Sequence, residues 1–363
     1  MWGSGAARYM REATGRRMVR SVAVGLTTVL CIGLSVGASV LAQTAPARPG
    51  YPTTKQLADS KTAQALMASA KKQAGSDLVR EFEATCTALG PQRPAMLEEE
   101  AGRKPEARRT LEPIKLFDNV YYFGFSDVGS FAITTSAGII LIDALNSPQE
   151  AEEILIPGLR KVGLDPAQIK MVLVGHGHFD HFGGVPYLQQ KYHVPLLMTK
   201  ADWALMQRPL PPSAPAERRA LPIPTQGPND KEVVNGQRIT LGDTTITLAV
   251  TPGHTPGSLG FFIPAKVGTA THNVLLLSGV IQTPDADSLG ALVRTLQQAQ
   301  TRKVEAVLNG HPGIFIGQTL DLMQAASKAT GTNPLLYGVE RFGRYASILM
   351  DCSRSRVEAM AGK

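Results

Sequence analysis

The segment Gly175-His176-Gly177-His178-Phe179-Asp180-His181-Phe182-Gly183-Gly184 constrains this chain more than any other stretch. It follows directly on the apolar run Met171-Val172-Leu173-Val174, which reads as a strand buried on both faces. Three imidazoles and a carboxylate therefore leave the end of a buried strand within six residues. His176 and His178 straddle a glycine, so they point the same way only in an extended or looped chain. Flanking glycines let the backbone fold tightly enough to aim several side chains at one place. Imidazole nitrogen and carboxylate oxygen are ligands that zinc takes at about 2.0–2.2 Å.

The surrounding pattern is that of an α/β chain. Short β-rich runs at Val120–Phe123, Phe131–Thr135 and Ile139–Ile142 precede a helix over Pro148–Lys161, for which Ser147 is the N-cap. A helix from Gly184 to Tyr192, a strand at Pro195–Met198 and a helix near Ala201–Met206 follow. Seven prolines from Pro209 to Pro228 predict a stiff, exposed loop without regular structure across 207–228, either a neutral insertion or a flap that touches substrate. Strands resume at Arg238–Leu241, Thr244–Val250, Ser258–Ile263, Val274–Leu277 and Val304–Leu308. Helices at Leu289–Thr301, Gln318–Thr330 and Val339–Ser353 close the chain. This order suits two sheets packed face to face with helices outside.

Three further segments complete a constellation. Asp143 ends the Ile139–Ile142 strand, Thr251-Pro252-Gly253-His254-Thr255-Pro256-Gly257-Ser258 carries one histidine, and Asn309-Gly310-His311-Pro312 another. The chain has seven histidines and five fall on these motifs; His193 and His272 fit none and read as surface or packing residues. Taken together, the residues from Ile114 to Cys352 resemble the metallo-β-lactamase superfamily. The resemblance implies an αββα sandwich of two mixed sheets flanked by helices. It also implies two zinc ions, the first held by His176, His178 and His254 and the second by Asp180, His181 and His311. Asp143 matches the family's structural aspartate, expected to hold the histidine loop, although an aspartate ending a strand is also an ordinary turn residue. Many members carry an aspartate that bridges both metals. Here Leu277-Ser278-Gly279-Val280 occupies that place, so the chain resembles the metallo-β-lactamases with His/His/His and Asp/His/His sites.

That family reading implies a β-lactamase-type hydrolase of cyclic amides, an antibiotic-resistance activity, using a zinc-bridged hydroxide between ions about 3.5–4 Å apart. Asp180 is the catalytic candidate, orienting the nucleophile and passing on a proton. Ser278 is a weaker candidate for receiving a substrate carboxylate. Two alternatives stay open: a metallo-hydrolase of lactones, thioesters or other esters, and a non-catalytic zinc protein.

Charge and cysteines bound the setting. Residues 1–42 carry five arginines against Glu12, which accounts for +4 of the formal +7, so the remainder makes no case for a nucleic-acid partner. That stretch, an arginine-rich start followed by Ser21–Leu41 and ending at Val40-Leu41-Ala42, reads as a signal peptide. Arg16-Arg17 resembles a twin-arginine signal, and an uncleaved membrane anchor is the alternative. The expectation is a periplasmic or secreted monomer acting on a small molecule, with no stable membrane association after cleavage. Residues 43–110 read as a helical and linker extension, with a helix near Leu78–Leu89, and 111–363 as the catalytic domain. Cys86 and Cys352 are left as either a bridge or two buried thiols.

Overall fold

The computed structural model describes residues 52–86, 108–214, 216–279, 285–312 and 320–362. The signal peptide, Cys31, the linker at 87–107 and Val280 lie outside these residues. Among the described residues, twelve strands form two mixed sheets. The first holds β1 (Ile114–Phe117), β2 (Val120–Gly124), β3 (Gly129–Thr135), β4 (Gly138–Ile142), β5 (Ile169–Leu173), β6 (Leu196–Thr199) and β7 (Lys231–Val233), side by side in chain order. The second holds β8 (Arg238–Leu241), β9 (Thr244–Val250), β10 (Leu259–Val267), β11 (Ala270–Leu277) and β12 (Val304–Asn309). Strands β4 to β7 are mutually parallel, as are β11 and β12, while the remaining pairs are antiparallel.

Alternation within the apolar strands explains the layers. Ile140 and Ile142 of β4 point into the space between the sheets with Phe131, Leu173, Leu248, Phe261 and Leu276. Ile139 and Leu141 point outward, under Leu155, Leu159 and Leu188. A strand with both faces covered needs no polar residue, hence the unbroken Ile-Ile-Leu-Ile run. The outer face of the second sheet is covered in the same manner, with Leu275 and Leu277 packed against Leu292, Leu296, Phe342 and Leu349.

Several elements depart from the sequence reading for identifiable reasons. The helix expected over 148–161 changes register midway: Ala151–Leu155 is π-helical between α-helical Pro148–Glu150 and Ile156–Lys161. The cause sits at Pro157, which has no N–H to continue an i to i−4 ladder, and the Ile156 N–H reaches back to the Ala151 carbonyl instead. The β10–β11 hairpin runs further than its apolar residues suggest. Pro264 is tolerated because β9 pairs with β10 only as far as Phe262. Within the proline-rich loop, a four-residue helix, Ala216–Arg219, forms in the proline-free window before Pro222, so the density of prolines does not exclude regular structure throughout.

The described part of the N-terminal extension forms helices Thr54–Asp59, Lys61–Ala74 and Val79–Cys86. Ala63, Ala70 and Ala74 are buried where Lys61–Ala74 lies along the C-terminal helix Gly338–Met360, which runs seven residues past the expected end at Ser353. Asp77 accepts two hydrogen bonds from Arg344 at 2.9 and 2.7 Å. Cys86 and Cys352 form a disulfide with their Cα atoms 4.6 Å apart. Because this bridge closes most of the chain into one loop, it removes much of the freedom of the unfolded state. Reducing it should lower the unfolding free energy by about 2–4 kcal/mol, read as a lower urea midpoint with reductant present. An unchanged midpoint would assign the bridge no stabilising role.

Candidate metal centre

Five loops carry the candidate residues, and each leaves the C-terminal end of a strand: β4, β5, β9, β11 and β12. The two sheets meet there through backbone bonds. Leu259 N donates to the Gly175 carbonyl at 2.8 Å, and Gly129 N to the Gly310 carbonyl at 3.0 Å.

Asp143 adopts a left-handed backbone with φ 61°, a conformation aspartate tolerates better than most residues. Its fully buried carboxylate faces the histidine loop. Oδ1 accepts from Gly175 N at 2.8 Å and Oδ2 from His181 Nδ1 at 2.8 Å. Donating from Nδ1 leaves His181 Nε2 with a lone pair directed at the site. The glycines work here by smallness, since Gly175, Gly177, Gly183 and Gly184 have no positive φ. A Cβ on Gly175 would stand 1.9 Å from Ser278 Oγ, and one on Gly183 would stand 2.1 Å from the Asn146 carbonyl.

The nitrogens converge in a way hydrogen bonding does not explain. His176 Nε2, His178 Nδ1 and His254 Nε2 form a triangle with sides of 3.2, 3.0 and 3.1 Å. Three ring nitrogens at mutual contact lack the protons to satisfy one another, whereas tetrahedral zinc with bonds near 2.05 Å places its ligands about 3.3 Å apart. The donor set fits that ion. A second group forms around Asp180: His181 Nε2 lies 3.1 Å from His311 Nε2, and each is 3.6 Å from Asp180 Oδ2. His176 also stands near Asp180 and His181, its ring centroid 3.9 Å from that of His181. Its Nε2 already belongs to the first triangle, so His311 is the third member of the second. The Nδ1 of His311 donates to the Asp127 carbonyl at 2.8 Å, which again turns Nε2 inward.

Electrostatics keep these groups ready for a cation. Burial pushes the proton affinity of His176, His178 and His311 down, reinforced for His176 by the neighbouring imidazoles. His254, buried among the same rings, is pulled down to about 3. For His181 burial acts downward too, but the Asp143 and Asp180 carboxylates outweigh it and raise the ring. Burial alone would raise Asp180, yet the adjacent His181 and His311 hold it below the usual carboxylate range. Four imidazoles kept neutral beside an ionised carboxylate suit a metal ion at neutral pH, and the ion would displace the proton that the carboxylates favour on His181.

Two placements differ from the sequence expectation or were missed by it. Ser278, expected to meet a substrate carboxylate, is 4% exposed and lies behind His176. Its Oγ is 3.1 Å from His176 Nδ1 and donates toward Asp143 Oδ2 at 3.5 Å. Asp202 carries no distinctive signal in the sequence, because an aspartate three residues after Thr199 looks like an ordinary helix start. In the structure it is fully buried and fastens the two histidine loops together. Oδ2 accepts from Gly177 N at 2.8 Å and Thr255 Oγ1 at 2.6 Å, and Oδ1 accepts from Gly257 N at 2.7 Å. Of the unassigned histidines, His193 caps a helix and His272 lies 2.9 Å from Glu305.

The sequence model of the metallo-β-lactamase superfamily matches residues 124–311. Among solved structures, the chain is similar to BJP-1, a subclass B3 metallo-β-lactamase of Bradyrhizobium japonicum, with 28% identity and a TM-score of 0.53; the match covers 69% of this chain and 96% of the other. It is 28% identical over 161 residues to the hydroxyacylglutathione hydrolase GloC of Haemophilus influenzae, covering 42% of this chain and 72% of that protein. An uncharacterized protein of Aquifex aeolicus is 33% identical over 110 residues, covering 30% of this chain and 47%, about half, of that protein's length.

Asp202→Ala should leave the Gly177 and Gly257 amides without their acceptor and weaken metal binding about 10–100-fold, measured by chelator competition. Unchanged affinity in a folded Asp202→Ala protein would refute the fastening role.

Proposed function

Because the chain belongs to the metallo-β-lactamase superfamily, and is thereby a metallo-hydrolase, we propose that it is a dinuclear zinc enzyme that opens β-lactam rings. The observation that carries this reading is the convergence of six side chains into two adjacent three-ligand groups. Three protein ligands per ion leave a position open for water or substrate, whereas a purely structural zinc would be closed by four. His176, His178 and His254 would hold the first ion and Asp180, His181 and His311 the second. When bound, the ions polarise a carbonyl and lower the pKa of water enough to supply a nucleophile at neutral pH.

The protein's own groups do the rest. Asp180, one-fifth exposed and held ionised, is placed to orient a water and to take its proton. His181 and His311 are fixed in one tautomer by Asp143 and by the Asp127 carbonyl, so their ring orientation does not have to be set during reaction. Ser278 steadies the His176 ring from behind.

The reading extends to the setting. We take residues 1–42 as a cleaved export signal and the enzyme as a periplasmic or secreted monomer acting on small molecules. Among the described residues no helix is long and apolar enough to cross a membrane. A second reading, hydrolysis of a thioester or lactone at the same groups, has its own support in the similarity to a hydroxyacylglutathione hydrolase.

Nitrocefin turnover decides between them. The β-lactamase reading expects hydrolysis that EDTA abolishes and zinc restores, with two zinc ions per chain by elemental analysis. In His254→Ala it should fall by more than about 100-fold, in line with the several kcal/mol a Lewis-acid metal contributes. No nitrocefin turnover beside rapid S-lactoylglutathione hydrolysis would move the assignment to thioesters.

A further inference from the structure

A cavity of about 510 Å³ opens between the His178 side of the metal centre and the proline-rich loop. His178 and Gly177 stand at one end. Phe179, Phe182 and Leu205 form an apolar wall, and Leu221 and Ile223 face them from the loop. Ile223 and Leu210, both of which line this space, are 41% and 44% exposed and add apolar surface to it.

Among the described side chains, the charges that line it are of one sign. Arg208, Arg218 and Arg219 line the cavity and no carboxylate among the described residues does. Arg218 places its guanidinium 3.9 Å over the Phe179 ring, and Arg219 Nε donates to the Ala214 carbonyl at 3.2 Å. None of the three forms an ion pair with a described carboxylate. Guanidinium groups beside an apolar wall match a ligand that joins a hydrocarbon body to an anion, since arginine pairs with carboxylates in forked geometry while its stem packs against carbon.

We propose that this cavity takes the non-reacting part of the substrate, an extended apolar acyl or aryl group bearing an anionic group that Arg208, Arg218 and Arg219 receive. The placement rests on the hydrolase reading only in putting the bond to be cleaved at the histidines. The recognition itself belongs to the loop. It makes the proline-rich segment a determinant of substrate choice, and the short helix Ala216–Arg219 the device that presents two of its cations.

The test is calorimetric titration of the zinc-loaded full chain with decane-1-sulfonate, decan-1-ol and butane-1-sulfonate, sulfonates being weak zinc ligands. Decanesulfonate should bind at least about tenfold tighter than either of the others, the scale of one charge-assisted hydrogen bond or a few buried methylenes. Arg208→Ala/Arg218→Ala/Arg219→Ala should erase its advantage over decanol with zinc content unchanged. Leu221→Ser/Ile223→Ser should erase its advantage over butanesulfonate. Equal binding of all three ligands by the unaltered protein would overturn the proposal. So would an advantage over decanol that survives loss of all three arginines, because the metals would then be holding the anion. Binding of the expected pattern without any hydrolase activity would sink the reaction and leave the pocket standing; turnover without the pattern would do the reverse.

Discussion

The buried carboxylate of Asp143 is the contact on which the rest of the centre depends. It ends β4, accepts from the backbone of the histidine loop through Gly175, and orients His181. Through Ser278 it also reaches the strand that belongs to the opposite sheet. An anion-acceptor in so dry a place must be fully satisfied, since an unmet buried polar group costs about 1–3 kcal/mol. Satisfying it fixes where the histidine loop begins, which ring nitrogen of His181 is free, and how far apart the two sheets stand at this end.

Asp202 plays a matching part on the other side. Asp143 ties the second three-ligand group to the first sheet, and Asp202 ties the two loops of the first group to each other. Between them lie five imidazoles, four of which burial keeps from taking a proton. Ring nitrogens that face one another across about 3 Å suit a shared cation, which satisfies their lone pairs. The carboxylates behind it fix the loops that carry those rings.

Much of this was legible in the sequence, for a physical reason. Strands buried on both faces advertise themselves by unbroken apolar runs, and the motifs at their ends contain residue types with few other uses in such company. The two-sheet order is visible that way, and the six convergent side chains are visible through the resemblance of their motifs to those of the family. What escaped was whatever depends on contact rather than on pattern. Asp202 sits where a helix would take an aspartate in any case, and Ser278 offered no hint that it would be covered. The polar end of the β10–β11 hairpin hides a strand because its side chains face solvent, and the π-helical turn beside Pro157 involves a hydrogen-bond register that no composition encodes. Whether Cys86 and Cys352 would meet was a question of distance, which the packing of the extension against the C-terminal helix answered.

That covalent link has a topological effect. The proline-rich loop is exposed and lies between the two cysteines, so a protease that nicks it cuts a ring and not a thread. Both pieces stay joined, each still carrying its own share of the histidines, and the strands on either side of the break have no reason to part. Only a reducing environment would let the fragments drift away from each other.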